Sequence, residues 1–204
     1  MEKSPTAGII LAAGRSSRLG RPKQLLDVGG RTLLAKTVQT ALSSRLEHLV
    51  LVLGHESGAM LASLGPLVCD SRLSVALNSR YGEGMSASLR EGLLRVTSFA
   101  SIMVILADHP FLDHRLIDLL LASFRNSHKD ICLPCCNGRQ GSPVIFGARF
   151  YPRIMKTRGD VGGRDIIREN PESLLRVEID SEDSFFDIDT EEDLAHLQRN
   201  SCAR

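Results

Sequence analysis

Residues 11–23 read Leu11-Ala12-Ala13-Gly14-Arg15-Ser16-Ser17-Arg18-Leu19-Gly20-Arg21-Pro22-Lys23, at the end of an apolar run that begins at Ala7. A short apolar run closed by a glycine-containing turn reads as a buried strand. The turn keeps small residues at Ala12, Ala13 and Gly14, where backbone has to come close to a ligand. Arg15, Arg18, Arg21 and Lys23 follow within the same loop. Backbone N–H groups beside cationic side chains suit a triphosphate, because together they neutralise its β- and γ-phosphates and stabilise a pyrophosphate leaving group. A P-loop is excluded, since Gly14 and Gly20 are followed by Arg21 rather than by Lys-Ser/Thr. A GxGxxG dinucleotide fingerprint is absent as well. The plain alternative is a basic surface loop kept for solubility; a place at the carboxyl end of a buried strand favours a site.

Outward from this loop, strand-length apolar runs alternate with helix-period stretches. Ala7–Ala12, Leu49–Leu53 and Ile102–Ala107 read as strands, with a shorter one at Ile131–Leu133. Thr32–Leu42, Met85–Val96 and Leu116–Phe124 carry apolar residues at helical spacing. Strands apolar on both faces and separated by helices predict a mostly parallel sheet covered on each side, with right-handed crossovers. In the last third, Val144–Phe146, Leu174–Ile179 and Phe185–Ile188 read as shorter strands and Glu191–Leu197 as a closing helix. The expectation is a Rossmann-like, three-layer α/β/α fold with a mostly parallel mixed sheet, one domain over residues 1–204.

Formal net charge is +1, with basic and acidic residues spread along the chain, so no extended nucleic-acid or membrane surface is expected. The apolar run at Ile9–Leu11 is too short for a secretory leader and no stretch approaches a membrane span. Five cysteines, an odd count, fit reduced thiols in a cytoplasmic protein. Cys132, Cys135 and Cys136 resemble half of a zinc site, but no second ligand pair follows at the required spacing, and zinc is not expected.

Carboxylates suited to a metal stand in two places. Asp108 ends the strongest strand, at the top of the sheet beside the first loop, where a Mg²⁺ bridging phosphates would sit. Its alternative role, capping the next helix, falls better to Asp113. Asp187 and Asp189 flank Ile188, so alternation on a strand would send both carboxylates to one face. One of the two completes a metal site with Asp108, or one caps the helix beginning near Thr190; the sequence does not separate them.

The pattern LAAGxSxRxGxxK at Leu11–Lys23 resembles the signature of the MobA-like nucleotidyltransferases. It continues through Gln24-Leu25-Leu26 and Gly29-Gly30 as in their molybdenum cofactor cytidylyltransferase branch. Asn78, Gly84-Met85-Ser86-Ala87-Ser88-Leu89 and Phe186-Asp187-Ile188-Asp189-Thr190-Glu191-Glu192-Asp193-Leu194 also match that branch, so the resemblance covers nearly the whole chain. It implies the nucleotide-diphospho-sugar transferase type of fold. It also implies a nucleotide grip from Leu11, Ala12, Ala13, Gly14, Arg15 and Lys23 with Gly54 and Asn78, and Mg²⁺ on Asp108. Ala107 stands where many relatives have Gly, and Glu191 where Pro is usual. Ser86 and Ser88 are either base or ribose contacts or plain helix caps. Ala13, where the guanylyl branch carries Gly-Gly, points to CTP.

For the acceptor, the resemblance implies that Gly141-Ser142-Pro143 and Arg158-Gly159-Asp160-Val161-Gly162-Gly163-Arg164 face a pterin phosphate. The second segment reads on its own either as an anion-binding turn or as a flexible glycine turn. No histidine has partner spacing that suggests acid–base work. The expected reaction is in-line attack of a molybdopterin-type phosphate on the α-phosphorus of CTP, with Lys23 and Arg18 neutralising charge and Asp108 holding the metal. A molybdenum hydroxylase is the candidate recipient of the product. The alternatives are a sugar or polyol phosphate acceptor, guanylyl transfer to the same cofactor, and a nucleotide-binding carrier without turnover.

Overall fold

The computed structural model describes residues 5–14 and 19–201. Eight strands form one mixed sheet: β1 (Thr6–Ala12), β2 (His48–Leu53), β3 (Leu73–Leu77), β4 (Ser101–Leu106), β5 (Ile131–Cys136), β6 (Arg139–Gln140), β7 (Val144–Gly147) and β8 (Leu174–Glu178). Their order is β3-β2-β1-β4-β7-β5-β6, with β8 pairing β5. β3, β2, β1 and β4 are mutually parallel, β7 runs antiparallel between β4 and β5, and β8 is parallel to β5. The chain leaves β1 toward β2 and β3 and then returns to β4 on the other side of β1. That reversal opens a crevice beyond the carboxyl ends of β1 and β4, the usual ligand position in such sheets.

Helices α1 (Leu33–Leu42), α2 (Ser57–Ser63), α3 (Met85–Leu93), α4 (His114–Arg125), α5 (Tyr151–Ile154), α6 (Arg164–Glu169) and α7 (Glu191–Ser201) complete the fold. Successive side chains of a strand point to opposite faces, and the two main cores divide accordingly. Ile10, Ala12, Leu49, Leu51 and Leu53 pack with α1, α2 and α4 on one face. Ile9, Leu11, Val50 and Val52 pack with α3, α5 and α6 on the other. The sequence expectation of a three-layer sheet, apolar on both sides, holds. Thr32 caps α1 through Ala35 N–H, and Asp113 caps α4 through Arg115 N–H, the role that frees Asp108 for other work.

The expected strand at Phe185–Ile188 does not form. Ser181 caps a 3-10 turn at Glu182–Phe185, and the chain then runs extended without a ladder partner. Packing explains the difference. Phe185 lies so close over Gly141 that a Cβ there would sit 2.1 Å from the ring. Ile188 enters a third apolar cluster with Leu19, Leu26, Val28, Leu33, Leu194 and Leu197. Burial of these side chains holds the segment where strand pairing was expected to. Four elements lacked a clear sequence signal: the edge strand β3, only partly buried, the short α2, the two-residue β6 and the one-turn α5.

Gly92 lies where α3 presses on the sheet, and a Cβ there would stand 2.4 Å from Ile9 Cγ2 and 3.0 Å from Val52 Cγ2. Overpacking a core costs about 1–3 kcal/mol. Gly92→Ala is therefore expected to lower the melting temperature by several degrees, on the order of 2–4 °C per kcal/mol for a chain of this size. An unchanged thermal melt would show that α3 does not pack this closely.

Candidate active site

Three parts of the chain meet at the crevice. Lys23 opens a 3-10 turn at Lys23–Leu25 after the first loop, Asp108 follows β4, and Asp187 and Asp189 come from the extended segment before α7. The Lys23 Nζ donates to Asp108 Oδ2 at 2.7 Å and to Asp189 Oδ1 at 2.8 Å. The lysine and Asp108 side chains are only 12% and 19% exposed, so solvent screens this pair weakly. Burial alone pulls the Lys23 ammonium down; the charge and hydrogen bonds of Asp108 and Asp189 outweigh it and hold the pKa above its ordinary value. The raised value means that, while Asp108 and Asp189 are ionised, the ammonium stabilises the fold below the ordinary lysine range. That contribution is lost as pH climbs through the raised value.

Asp108, Asp187 and Asp189 each bring a carboxylate oxygen within 4.8 Å of the others. Ile188, fully buried, donates its N–H to the Asp108 carbonyl at 3.1 Å. This one contact sets the neighbouring aspartates beside Asp108 without a strand ladder. Thr190 and Asp193 cap α7 reciprocally: Asp193 N–H donates to Thr190 Oγ1, and Asp193 Oδ2 accepts from Thr190 N–H. The Asp108 Oδ1 is buried and accepts no hydrogen bond, with His109 Nε2 at 3.5 Å. A buried carboxylate oxygen without a donor, beside two further carboxylates, is a donor set for a hard divalent cation.

A cavity of about 520 Å³ opens above these groups, with Leu11, Ala13, Gly14, Lys23, Asp108 and Asp189 on its walls. Ala12 is buried beneath them. Arg15 and Arg18 lie outside the described residues. Ser88 faces the cavity, whereas Ser86 is fully buried and its hydroxyl finds no hydrogen-bond partner. Asn78, 4% exposed, is off the wall. Its amide nitrogen donates to Ser88 Oγ at 3.1 Å, and its Oδ1 accepts Arg80 N–H at 2.9 Å. Asn78 therefore supports Ser88 and the turn that follows. Gly54 serves close packing, since a Cβ there would stand 2.7 Å from Tyr81, whose ring borders the cavity.

A second cavity of about 420 Å³ adjoins the first, with Leu11, Met85 and Leu106 common to both. Asp187, Gly141, Gly162 and Arg164 line it over an apolar floor that includes Phe146. Pro143 lies between two residues of the wall, Ser142 and Val144, without reaching it. Asp160 instead borders the first cavity and caps α3, its Oδ1 accepting Met85 N–H at 3.0 Å. Gly159 backs onto Gly84 so closely that a Cβ on Gly84 would meet its carbonyl carbon at 2.5 Å. The exposed Arg158 is on neither wall. Close packing thus accounts for Gly84 and Gly163, the latter seated on the Phe146 ring.

Sequence reasoning passed over Tyr81, Met85 and His109. The His109 Nδ1 lies 2.9 Å from the Ser184 carbonyl, which only accepts, so Nδ1 carries the proton. The partner is a backbone atom 75 residues away, which no side-chain spacing rule detects.

The MobA-like NTP transferase domain matches residues 8–174, which contain the first loop, Lys23, Asp108 and most of both cavities. The chain belongs to the MobA-like NTP transferase family. Among its relatives, the nicotine blue oxidoreductase of Paenarthrobacter nicotinovorans is 30% identical over 200 residues, 93% of this chain and 95% of the relative. The purine catabolism protein PucB of Bacillus subtilis is 30% identical over 202 residues, 94% and 95% of the two chains. A probable molybdenum cofactor guanylyltransferase of Thermococcus sibiricus is 23% identical over 199 residues, 94% and 96%. The crystal structure of the Rv0371c homologue from Mycobacterium sp. strain JC1 superposes with a TM-score of 0.84 at 27% identity, covering 97% of each chain. Rv0371c of Mycobacterium tuberculosis, solved in complex with manganese, superposes with a TM-score of 0.80 at 23% identity over 96% and 99% of the two chains. As a MobA-like NTP transferase, the protein is a nucleotidyltransferase, and its fold is that of the nucleotide-diphospho-sugar transferases.

The Lys23 ammonium spans two of the three carboxylates and competes with any cation that seeks them. Lys23→Met is expected to bind Mn²⁺ without nucleotide on the order of tenfold more tightly than the unaltered enzyme, as one opposing charge near the site is removed. Electron paramagnetic resonance of free Mn²⁺ measures the difference. Equal affinities would show that the lysine does not guard the carboxylates.

Proposed function

We propose that this enzyme is a Mg²⁺-dependent CTP:molybdenum cofactor cytidylyltransferase, which makes molybdopterin cytosine dinucleotide and pyrophosphate. The observation that carries the reading is Lys23 held between Asp108 and Asp189 on the wall of a cavity that adjoins a second one. The first cavity has the backbone loop and cation a triphosphate needs, and the second joins an apolar floor to polar walls that include Asp187 and Arg164. Molybdenum cofactor as the acceptor is supported by the Thermococcus relative, a probable molybdenum cofactor guanylyltransferase. Ala13, a wall residue of the nucleotide cavity, supports CTP. One methyl group in a base pocket discriminates by only about 1–3 kcal/mol. Guanylyl transfer to the same acceptor is thus the second reading, favoured by the same relative's name. A cytoplasmic setting agrees with Cys69, Cys132, Cys135 and Cys136 standing as free thiols. Among the described residues, no helix is long and apolar enough to cross a membrane.

In this reading the acceptor phosphate oxygen attacks the α-phosphorus of the nucleotide in line. The new P–O bond forms as the bond to the β-phosphate oxygen breaks, and pyrophosphate leaves. No covalent enzyme intermediate is needed. Lys23 moves from the carboxylates to the phosphates and, with Arg18, neutralises charge that grows on the leaving group. Asp108, with Asp187 and Asp189, would hold the Mg²⁺, which supplies Lewis-acid polarisation of the phosphate when bound. Ala13, Gly14 and Ser88 seat the nucleoside, and Gly141, Gly162 and Arg164 face the acceptor. A molybdenum hydroxylase is the proposed recipient of the dinucleotide.

The purified enzyme, given molybdenum cofactor and Mg²⁺ with CTP, GTP, ATP or UTP in turn, is expected to release pyrophosphate fastest with CTP. Faster release with GTP would replace the base assignment and keep the acceptor. No release with any nucleotide would remove the acceptor assignment. Lys23→Ala is expected to lower kcat by about 10²–10³-fold, as loss of one charge-stabilising group does elsewhere, with an unchanged circular dichroism spectrum. Unchanged turnover would take Lys23 out of the mechanism.

A further inference from the structure

Helix α3 begins without a cap of its own. Its N-cap position is Gly84, which has no side chain to offer the open N–H groups of the first turn. Asp160 supplies the missing acceptor from 75 residues away, its Oδ1 taking the Met85 N–H at 3.0 Å. Asp160 belongs to the 3-10 turn Gly159–Val161. The bare backbone of Gly84 is what lets that turn approach, since a Cβ there would stand 2.7 Å from Asp160 Oδ1.

A second bond fixes the same segment further along the helix. Arg90, 7% exposed, donates from Nη1 to the Thr157 carbonyl, and its Nη2 lies 3.5 Å from Glu83 Oε2. Thr157 to Asp160 is thus strapped along α3, by a guanidinium at one end and a carboxylate at the other. The start of α3 is a wall of the cavity proposed for the nucleotide, through Met85 and Ser88. Charge alone makes Asp160 a poor neighbour for that cavity, because it borders the same space and a carboxylate repels a triphosphate. Its bond to the positive end of α3 offsets that charge and orders the helix start. On the other side, Val161, Gly162, Gly163 and Arg164 continue from Asp160 onto the wall of the second cavity.

We propose that Asp160 is a positioning residue for the nucleotide: it caps α3 from the acceptor-side turn and so fixes the wall of Met85 and Ser88 against which the nucleotide is bound. The inference rests on the nucleotide side of the function proposed above. It reassigns a residue that its sequence context placed against the acceptor. Nucleotide affinity thereby depends on the same segment that walls the second cavity.

Two measurements on the full chain test it. Calorimetric titration with α,β-methylene-CTP and Mg²⁺, without acceptor, reads nucleotide affinity, and NMR amide exchange at Met85 reads the cap. Asp160 is exposed, so its variants leave the core intact. Asp160→Ala removes both charge and bond; Asp160→Asn keeps an accepting oxygen and removes only the charge. Asp160→Ala is expected to bind about fivefold more weakly, the effect of a lost helix cap, and to exchange Met85 N–H faster. Asp160→Asn is expected to bind at least as tightly as the unaltered enzyme, with Met85 exchange unchanged. Unchanged or tighter binding by Asp160→Ala would show that the carboxylate acts by charge alone and overturn the proposal. Weaker binding with unchanged Met85 exchange would mark direct contact with the nucleotide and overturn it too. Equal weakening in both variants would assign the effect to the lost charge, again overturning it. In each of these cases the unaltered enzyme still binds nucleotide and the proposed function stands. If the unaltered enzyme binds α,β-methylene-GTP instead, the same comparison is made with that analogue. If it binds neither, the proposed function fails and this inference fails with it.

Discussion

Three carboxylates crowd one another beyond the ends of β1 and β4, and the rest of the site is arranged around that repulsion. Lys23 relieves it at two of the three, and Asp108 Oδ1 is left without a hydrogen-bond donor. A group of negative charges this close is costly unless a cation shares it, and the structure provides two ways to meet that need. One is the internal ammonium; the other is an external divalent ion, for which the remaining oxygens are suited. In the proposed mechanism, a triphosphate that draws the ammonium away would expose the carboxylates as it arrives, and binding of nucleotide and of cation would be coupled through charge.

The division of labour between the cavities follows from the sheet. The cavity proposed for the nucleotide takes walls from the first loop, the end of β4 and the start of α3, in the parallel half. The cavity proposed for the acceptor takes walls from the β5 to β7 region, α6 and the 3-10 turn before Ile188, where the sheet turns antiparallel. Met85 stands on the boundary, and Asp160 ties its N–H to the acceptor-side turn. Relatives of similar length carry names as different as a guanylyltransferase, a purine catabolism protein and an oxidoreductase.

Much of this was legible in the sequence where one rule sufficed. Double-sided apolar runs announced β1, β2 and β4, and a small-residue turn followed by cations announced the first loop. Asp108 was legible because a carboxylate after a buried strand has few structural uses once Asp113 takes the helix cap. Other readings failed where two rules competed. Phe185–Ile188 has strand composition, but the rings and Ile188 found burial elsewhere, and burial outweighed pairing. Ser86 and Ser88 looked equivalent as residue types, yet two positions apart on a helix face different ways. Only Ser88 reaches the cavity. The partners of His109 and Asn78 were invisible, since one is a backbone carbonyl and the other a serine a helical turn into α3.

The apolar cluster around Ile188 has a consequence for how the protein is made. The segment that carries the carboxylates at 187 and 189 is held by Leu194 and Leu197 packing with Leu19, Leu26 and Leu33, residues far earlier in the sequence. Such a contact closes a long loop, and long-range contacts form late. A ribosome-bound chain that has already paired β1, β2, β3 and β4 still has only Lys23 and Asp108 at the crevice. The acidic cluster is therefore completed only after the segment that carries Leu194 and Leu197 has packed.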